Sequence, residues 1–393
     1  MNLPYILFIH DHKFLDQNGV YYSEGKFSNS VFSRYNSFNC NINVISRVIK
    51  VKNCDHLNEI TNTNICFKFV FGIDFSSIFT RYLFKNVLMI MREVKKSDAL
   101  IIRLPSFLGV FALLINLFYR KKYFIEFVGD PKESLLMSKT KISYFFRFLV
   151  GIFNILNIFF VKKADGVIYV TKYDLQNKYP TTNMQSFASN VEVDIPKLEF
   201  NLDNYKLKHN KIIKVGMIGS FNNEYKGIDT AFKAIKDLKE KNIIVNFHIL
   251  GSGSLKEKYI NLAEKLHISD LVYFDGSLSG GKEVLNWLKD LDIYIQPSRT
   301  EGLPRALIEA MSVGLPCIAT NVGGIPELLS ERDLISKDDY LALAKKISDF
   351  SNSDTLRFEA GGRNYHSALD YDSVKLNKKR SDFWRKAAEI VYG

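Results

Sequence analysis

Residues 298–326, SRTEGLPRALIEAMSVGLPCIATNVGGIP, restrict the fold more than any other stretch of the chain. Pro304 suits a first helical turn, where a missing N–H costs nothing. Leu303, Ala306, Leu307, Ala310 and Met311 follow at i, i+3, i+4, i+7 and i+8, the apolar stripe of a helix laid on a core. Gly314 ends that helix and Pro316 prevents its resumption. Pro316–Thr320 is a short apolar run without a polar face, which suits a buried strand, and Gly323-Gly324 makes the next loop. Two carboxylates stand out, Glu301 before the helix and Glu309 within it. A carboxylate at a helix start can serve the helix dipole alone. Arg305 and Glu309, four residues apart, can form a plain surface ion pair. From spacing alone, a structural and a functional role both stand.

The same alternation of strand and helix runs through the rest of the 393 residues, enough for two domains. In the first half, strands are expected at Tyr5–Ile9, Ile42–Val48, Phe67–Phe71, Ala99–Arg103, Tyr123–Val128 and Val167–Val170, with helices between them. That pattern predicts a parallel sheet covered on both faces. After the first strand a polar loop is expected at His10-Asp11-His12-Lys13-Phe14, placed where open α/β sheets bind ligands. Only His10 and His12 could converge on a metal, with no third ligand evident. Asn18–Phe27 is a glycine-punctuated loop carrying Gly19, Tyr22 and Gly25, and a helix is expected over Ser28–Asn39 with Ser28 as N-cap. YFIEFVGD ends at Asp130 before a proline, where the carboxylate is either a turn residue or an active-site group.

In the second half, Lys211–Gly219 reads as a strand, followed by a small-residue loop to Lys226-Gly227 and a helix striped by Ile228, Ala231, Phe232, Ile235 and Leu238. Backbone N–H groups and the helix dipole at such a junction favour a phosphate. HILGSGS at His248–Ser254 lacks the third glycine of a dinucleotide fingerprint, since Lys256 stands there, which disfavours a nucleotide-dependent dehydrogenase. Asp290-Leu291-Asp292 has the D-x-D pattern of metal-held diphosphates but reads as turn chemistry before the strand Ile293–Gln296.

At 47% hydrophobic and 24% charged residues the composition is globular. Four cysteines, Cys40, Cys54, Cys66 and Cys317, form no CxxC pair or dense framework, so a reducing cytosol is the default. MNLPYILFIHDH lacks a basic n-region and reads as a first strand, not a signal peptide. The net charge of +11 is uneven. Residues 1–200 hold 25 Lys and Arg against 16 Asp and Glu, and residues 201–393 hold 28 against 26. No nucleic-acid motif accompanies the basic half. Two aromatic-rich segments, Phe107–Tyr119 and Phe148–Val161, are each followed by basic residues, Arg120-Lys121-Lys122 and Lys162-Lys163. Both fall short of a transmembrane span. They suit core helices, an interfacial surface on an anionic membrane, or both.

The segment EGLPRALIEAMSVGLPCIATNVGGIPE resembles, from Pro297 to Glu327, the E-x7-E segment of the family-4 retaining glycosyltransferases. The resemblance implies the α/β GT-B fold, two doubly wound Rossmann-like domains facing a central cleft. Residues 1–195 would bind the acceptor, 196–210 would link, 211–362 would bind a nucleotide sugar, and 363–393 would pack back toward the first domain. It implies that Glu301 faces the donor sugar, that Glu309 bonds the ribose, and that Gly302, Leu303 and Arg305 line the donor. Gly219, Ser220 and Lys226 resemble the family's diphosphate loop, with Ser220 where many members carry arginine and Arg305 a possible substitute for it. Gly276 would neighbour the base. His10, Gly19, Tyr22 and Asp130 would face the acceptor, with Asp130 near the place where many relatives carry a histidine. The implied activity is retaining, metal-independent transfer of a hexose or N-acetylhexosamine from a nucleotide sugar, UDP-sugar favoured, without a cofactor. The implied acceptor is a lipid-linked saccharide in O-antigen or capsule synthesis, at the inner face of the cytoplasmic membrane. The alternatives are a GT-B nucleotide-sugar epimerase and a non-catalytic carbohydrate-binding protein.

Overall fold

The computed structural model describes residues 5–23, 27, 29–51, 58–61, 64–72, 74–132, 135, 143–199, 201, 212–279 and 281–393. Gly25, the N-cap expected at Ser28, Cys54, Lys211 and most of the 196–210 linker lie outside them. The chain divides into two compact units, one of residues 1–190 with 377–393, the other of residues 191–376.

Among the described residues, the first unit has nine strands: β1 (Tyr5–Gln17), β2 (Val20–Ser23), β3 (Asn41–Lys50), β4 (Asn58–Glu59), β5 (Ile65–Phe69), β6 (Ala99–Leu104), β7 (Lys122–Phe127), β8 (Gly166–Tyr169) and β9 (Met184–Phe187). Its parallel strands read β5-β3-β1-β6-β7-β8-β9 across the sheet. The described residues of the second unit form six parallel strands, β10 (Ile213–Ile218), β11 (Val245–Leu250), β12 (Val272–Gly276), β13 (Ile293–Gln296), β14 (Cys317–Thr320) and β15 (Leu334–Ile335). They are ordered β12-β11-β10-β13-β14-β15. Both units thus have the doubly wound order, with a switch point where the winding reverses. The expected fold class is the one observed.

The apolar stripes bury as the periodicity requires. Ile228, Ala231, Phe232 and Ile235 of the helix Ile228–Glu240 are fully buried with Val215, Phe247 and Ile295 of the sheet. Each large apolar side chain so buried contributes about 1.5–3 kcal/mol before the entropy of ordering it. In the first unit, Trp384 near the chain's end is fully buried, its ring 4.9 Å from that of Tyr35 and 6.4 Å from that of Phe124.

Two expectations are corrected. The loop expected at His10–Phe14 is strand: β1 continues to Gln17, with its register against β3 shifting between Ile9 and Lys13. Its first half pairs with β6 and its last residues with β2, and between them the Asp11 carbonyl accepts the Arg47 guanidinium and the His12 carbonyl accepts the Ser46 hydroxyl. The helix expected over Ser28–Asn39 is a short helix, Asn29–Ser33, and a 3-10 turn, Asn36–Phe38, closed by Asn39 in a left-handed conformation.

A third difference concerns length. The second aromatic segment is a 20-residue helix, Tyr144–Lys163, long and apolar enough by length and composition to cross a membrane. One face, with Val150, Phe153, Phe160 and Val161, is buried, and Phe153 stacks on Phe107 at 4.4 Å. The other face leaves Tyr144, Phe145, Phe148, Leu149, Ile152, Ile155 and Phe159 exposed.

Candidate active site

The chemistry-bearing residues of the second unit gather at its switch point. β10 and β13 are neighbours, but the chain leaves them toward opposite sides of the sheet. The loops after their carboxyl ends therefore border a crevice of the kind in which open sheets bind ligands. One loop carries Lys226 and the other Glu301.

The loop after β10 runs through a 3-10 turn, Glu224–Lys226, into the helix Ile228–Glu240. Gly227 joins them at φ 70°, and a Cβ there would lie 2.0 Å from the carbonyl oxygen of Pro297. Only glycine lets the two loops approach this closely. Gly219 faces Lys226, whose Cγ would be 3.2 Å from an added Cβ. The Ser220 hydroxyl accepts the Asn222 N–H at 3.2 Å.

Three donors converge on one oxygen of Glu301. Oε1 accepts Lys226 Nζ at 2.7 Å, Gln296 Nε2 at 2.8 Å and the Ser298 hydroxyl at 2.7 Å. Gln296 Nε2 also donates to Ser298 Oγ at 2.8 Å, and Gln296 Oε1 accepts the Tyr294 hydroxyl at 2.7 Å. Gln296, Ser298 and Tyr294 are fully buried, and burial pushes the Tyr294 phenol well above its usual range. Lys226 and Glu301 are themselves 14% and 9% exposed in their side chains. At that depth a pair gains its stability from complete hydrogen bonding.

Arg299 ties the two loops together. Its N–H donates to Tyr225 O at 2.7 Å, and its guanidinium donates to Glu224 O at 2.7 Å, Asp229 at 2.6 Å and Asp338 at 2.7 Å. Burial would raise the Asp229 carboxyl, but the Arg299 hydrogen bond and charge outweigh it and hold it below the usual range. On the far side, Gly323 has φ 53°, and a Cβ there would lie 1.8 Å from Glu301 O. The Gly324 N–H donates to Gly302 O at 2.8 Å.

The helix beyond the Glu301 loop is Arg305–Ser312, with Pro304 just before it and Leu303 half-buried. Glu309 is mostly buried on it and accepts Arg305 Nε at 2.8 Å, the arginine being the exposed partner. Gly276 ends β12 at φ 79°, and its carbonyl accepts Gly251 N–H at 2.6 Å. Asp292 accepts the Lys214 N–H at 2.9 Å and donates its own to Lys214 O, a strand-entry turn. Gln296, Ser298 and Arg299 are site residues that the sequence reading missed. Alternation along β13 carried a signal, because Tyr294 and Gln296, two apart, share a face.

In the first unit, the His-Asp-His residues serve different partners. His10 Nδ1 donates to Arg103 O at 3.1 Å, and burial, with the Arg103 charge, pushes its pKa down to about 3. Asp11 caps the helix Phe107–Tyr119, accepting Phe107 N–H at 2.6 Å and Leu108 N–H at 2.9 Å. The His12 ring lies 2.9 Å from the Ser23 hydroxyl. Gly19, at φ 85° beside Asn18 at φ 55°, forms the β1–β2 hairpin turn, and Tyr22 pairs with Leu15 in the ladder. Asp130 accepts the Tyr179 hydroxyl at 2.9 Å and Lys132 N–H at 2.9 Å, and pairs with Lys178 at 3.3 Å.

The chain is similar to several known proteins. Residues 201–365 match the family described as Glycosyl transferases group 1. Protein CapJ of Staphylococcus aureus is 34% identical over 346 residues, 87% of this chain and 85% of that one. The putative colanic acid biosynthesis glycosyltransferase WcaL of Escherichia coli K12 is 37% identical over 142 residues, 34% of each chain. Among solved structures, the lipopolysaccharide outer core galactosyltransferase WaaB aligns over 98% of this chain and 99% of its own, at TM-score 0.65 and 16% identity. The structural likeness identifies the fold as GT-B.

Proposed function

This chain belongs to the glycosyl transferases of group 1, and from that premise we propose a retaining hexosyl or N-acetylhexosaminyl transfer from a nucleotide sugar, in the building of a surface polysaccharide. The observation that carries this reading is the Lys226–Glu301 pair, seated on buried Gln296 and Ser298 at the switch point of the second unit. Names of relatives point the same way, WcaL being a colanic acid glycosyltransferase by description.

In this reading the donor lies on the second unit. Lys226 and backbone N–H groups between Gly219 and Gly227 stabilise charge developing on the diphosphate. No metal is invoked, because the lysine and the helix start supply the positive charge. Glu301 holds the sugar, with its Oε1 fixed by three donors so that the carboxylate does not turn. Glu309, held by Arg305, orients the ribose. The bond from the anomeric carbon to the diphosphate oxygen breaks as the acceptor hydroxyl bonds the same face. Its proton passes to the leaving oxygen. The acceptor is a lipid-linked saccharide on the first unit, and the exposed face of Tyr144–Lys163 rests on the cytoplasmic leaflet.

The test is a hydrolysis and binding panel of UDP-glucose, UDP-N-acetylglucosamine and GDP-mannose, with Glu301→Ala and Lys226→Ala alongside. One donor is expected to bind and hydrolyse slowly, with turnover lost in both variants. Free epimerised nucleotide sugar without an acceptor would favour the epimerase alternative. Unchanged variants, or no binding by the natural chain, would favour a carbohydrate-binding role.

A further inference from the structure

Arg299 spends every guanidinium nitrogen on the frame around Lys226 and none on the crevice. Nη1 goes to the backbone of Glu224, Nη2 to Asp229 in the first turn of the following helix, and Nε to Asp338 beyond β15. Its own N–H goes to Tyr225 O. Three of these four bonds thus hold positions 224, 225 and 229, which bracket Lys226 on both sides. The fourth anchors the same fork to a separate element. The planar fork spreads its donors over three nitrogens in fixed directions and suits this task, whereas a lysine's three donors diverge from a single nitrogen and could not span acceptors set so far apart. The turn is otherwise held by its own Gly227 N–H to Glu224 O bond and by the exposed Lys258, which pairs with the Glu224 carboxylate. Glu224 and Tyr225 are exposed or half-exposed, and the 3-10 turn has only three residues. Short 3-10 turns are weakly held by their own hydrogen bonds.

Lys226 has a long, flexible side chain, and its ammonium reaches Glu301 only if the turn is held. We infer that Arg299 is a positioning residue that acts through Lys226: it locks the Glu224–Lys226 turn to the Glu301 loop and so sets where the ammonium meets the donor's diphosphate. The role rests on the transferase reading above. It needs no contact between Arg299 and the donor. Its strength lies in joining the two loops that carry the opposed charges, since Arg299 sits two residues before Glu301 while its bonds end around Lys226.

The measurement is a double-mutant cycle between Arg299→Ala and Lys226→Ala. It reads kcat and KM for hydrolysis of the turned-over nucleotide sugar, and the dissociation constant of UDP or GDP to match. Circular dichroism checks the fold of each variant. Arg299→Lys and Asp338→Ala repeat the cycle, the second removing a single anchor. With Lys226 present, Arg299→Ala should weaken nucleotide binding and lower kcat, each by about 10-fold or more. With Lys226 absent, the same change should cost less than about twofold, the coupling expected of groups that act as one unit. Arg299→Lys should fail to restore kcat. An equal loss in both backgrounds, or full rescue by lysine, overturns the inference and leaves the transferase reading standing. If Lys226→Ala itself changes neither binding nor turnover, the transferase site is wrong and the inference falls with it.

Discussion

Lys226 Nζ lies 2.7 Å from Glu301 Oε1, joining positions 75 residues apart in the chain. Gln296 and Ser298 donate to the same oxygen, so the carboxylate keeps two donors if the lysine is removed. Lys226→Ala should therefore fold, and should lower kcat for donor hydrolysis by about 10²–10³, as expected for the loss of one preorganised electrostatic donor. Glu301→Gln places an amide N–H or a neutral oxygen where three donors now meet a charge, and should lower both kcat and melting temperature. Steady-state kinetics with a thermal scan separates the two effects. A Lys226→Ala enzyme with full kcat would contradict the assignment.

Gly323 controls the back of the Glu301 loop. A Cβ there would sit 1.8 Å from Glu301 O, and the residue's φ is 53°. Gly323→Ala must push that loop away or strain the backbone, at about 1–3 kcal/mol. We expect a lower unfolding midpoint together with a fall in donor affinity. Unaltered affinity with lowered stability would mean that the loop position does not govern donor binding.

The half-buried His10, set against Arg103, gives the first unit an acid-sensitive limb. Its folded pKa of about 3 lies below the usual value near 6.5, because burial and then the Arg103 charge oppose its cation. The unfolded chain takes up the proton first. Stability due to the neutral imidazole is therefore present above pH 6.5 and lost as pH falls toward 3, with a slope of up to about 1.4 kcal/mol per pH unit. His10→Gln should flatten the fall in melting temperature between pH 6.5 and 4. An unchanged slope would show that other groups carry it.

Trp384 is fully buried against Tyr35, Phe38 and Phe124 of the first unit. Trp384→Ala should cost about 3–5 kcal/mol by cavity formation. Urea unfolding followed by tyrosine and residual tryptophan fluorescence should shift its midpoint accordingly. A shift below about 1 kcal/mol would imply that the final helix can leave that core without consequence.

The exposed row Phe145, Phe148, Leu149, Ile152 and Ile155 lies along one side of a helix that ends in Lys162 and Lys163. Such a face, with basic ends, suits the surface of an anionic bilayer. Sedimentation with vesicles containing phosphatidylglycerol should carry the protein down, weakly with neutral vesicles and less at high salt. Phe145→Ser with Phe148→Ser and Ile155→Ser should reduce binding about 10-fold or more, since each large side chain contributes about 1.5–3 kcal/mol. Equal binding by the triple variant would remove this face from consideration.

What the sequence determined by itself is what depends on local pattern. Apolar periods near 3.6 and short apolar runs placed the helices Ile228–Glu240 and Arg305–Ser312 and the strands β10, β13 and β14 of the second unit within a few residues. The glycine and proline positions at Gly314, Pro316 and Gly323 marked its turns. Local pattern set Lys226 and Glu301 in loops and Glu309 within a helix, and the family resemblance gave them their expected roles. The tertiary structure alone decided which of them meet. Lys226 and Glu301 converge because β10 lies beside β13 in the sheet, and strand order is a matter of long-range pairing that no window of residues contains. The same reason explains the missed members. Gln296, Ser298 and Arg299 look like ordinary polar residues until the sheet fixes what stands opposite them. It explains β1 as well: His10 to Lys13 reads as a loop because it is polar, yet β3 pairs with the chain on either side of it and holds it in the sheet.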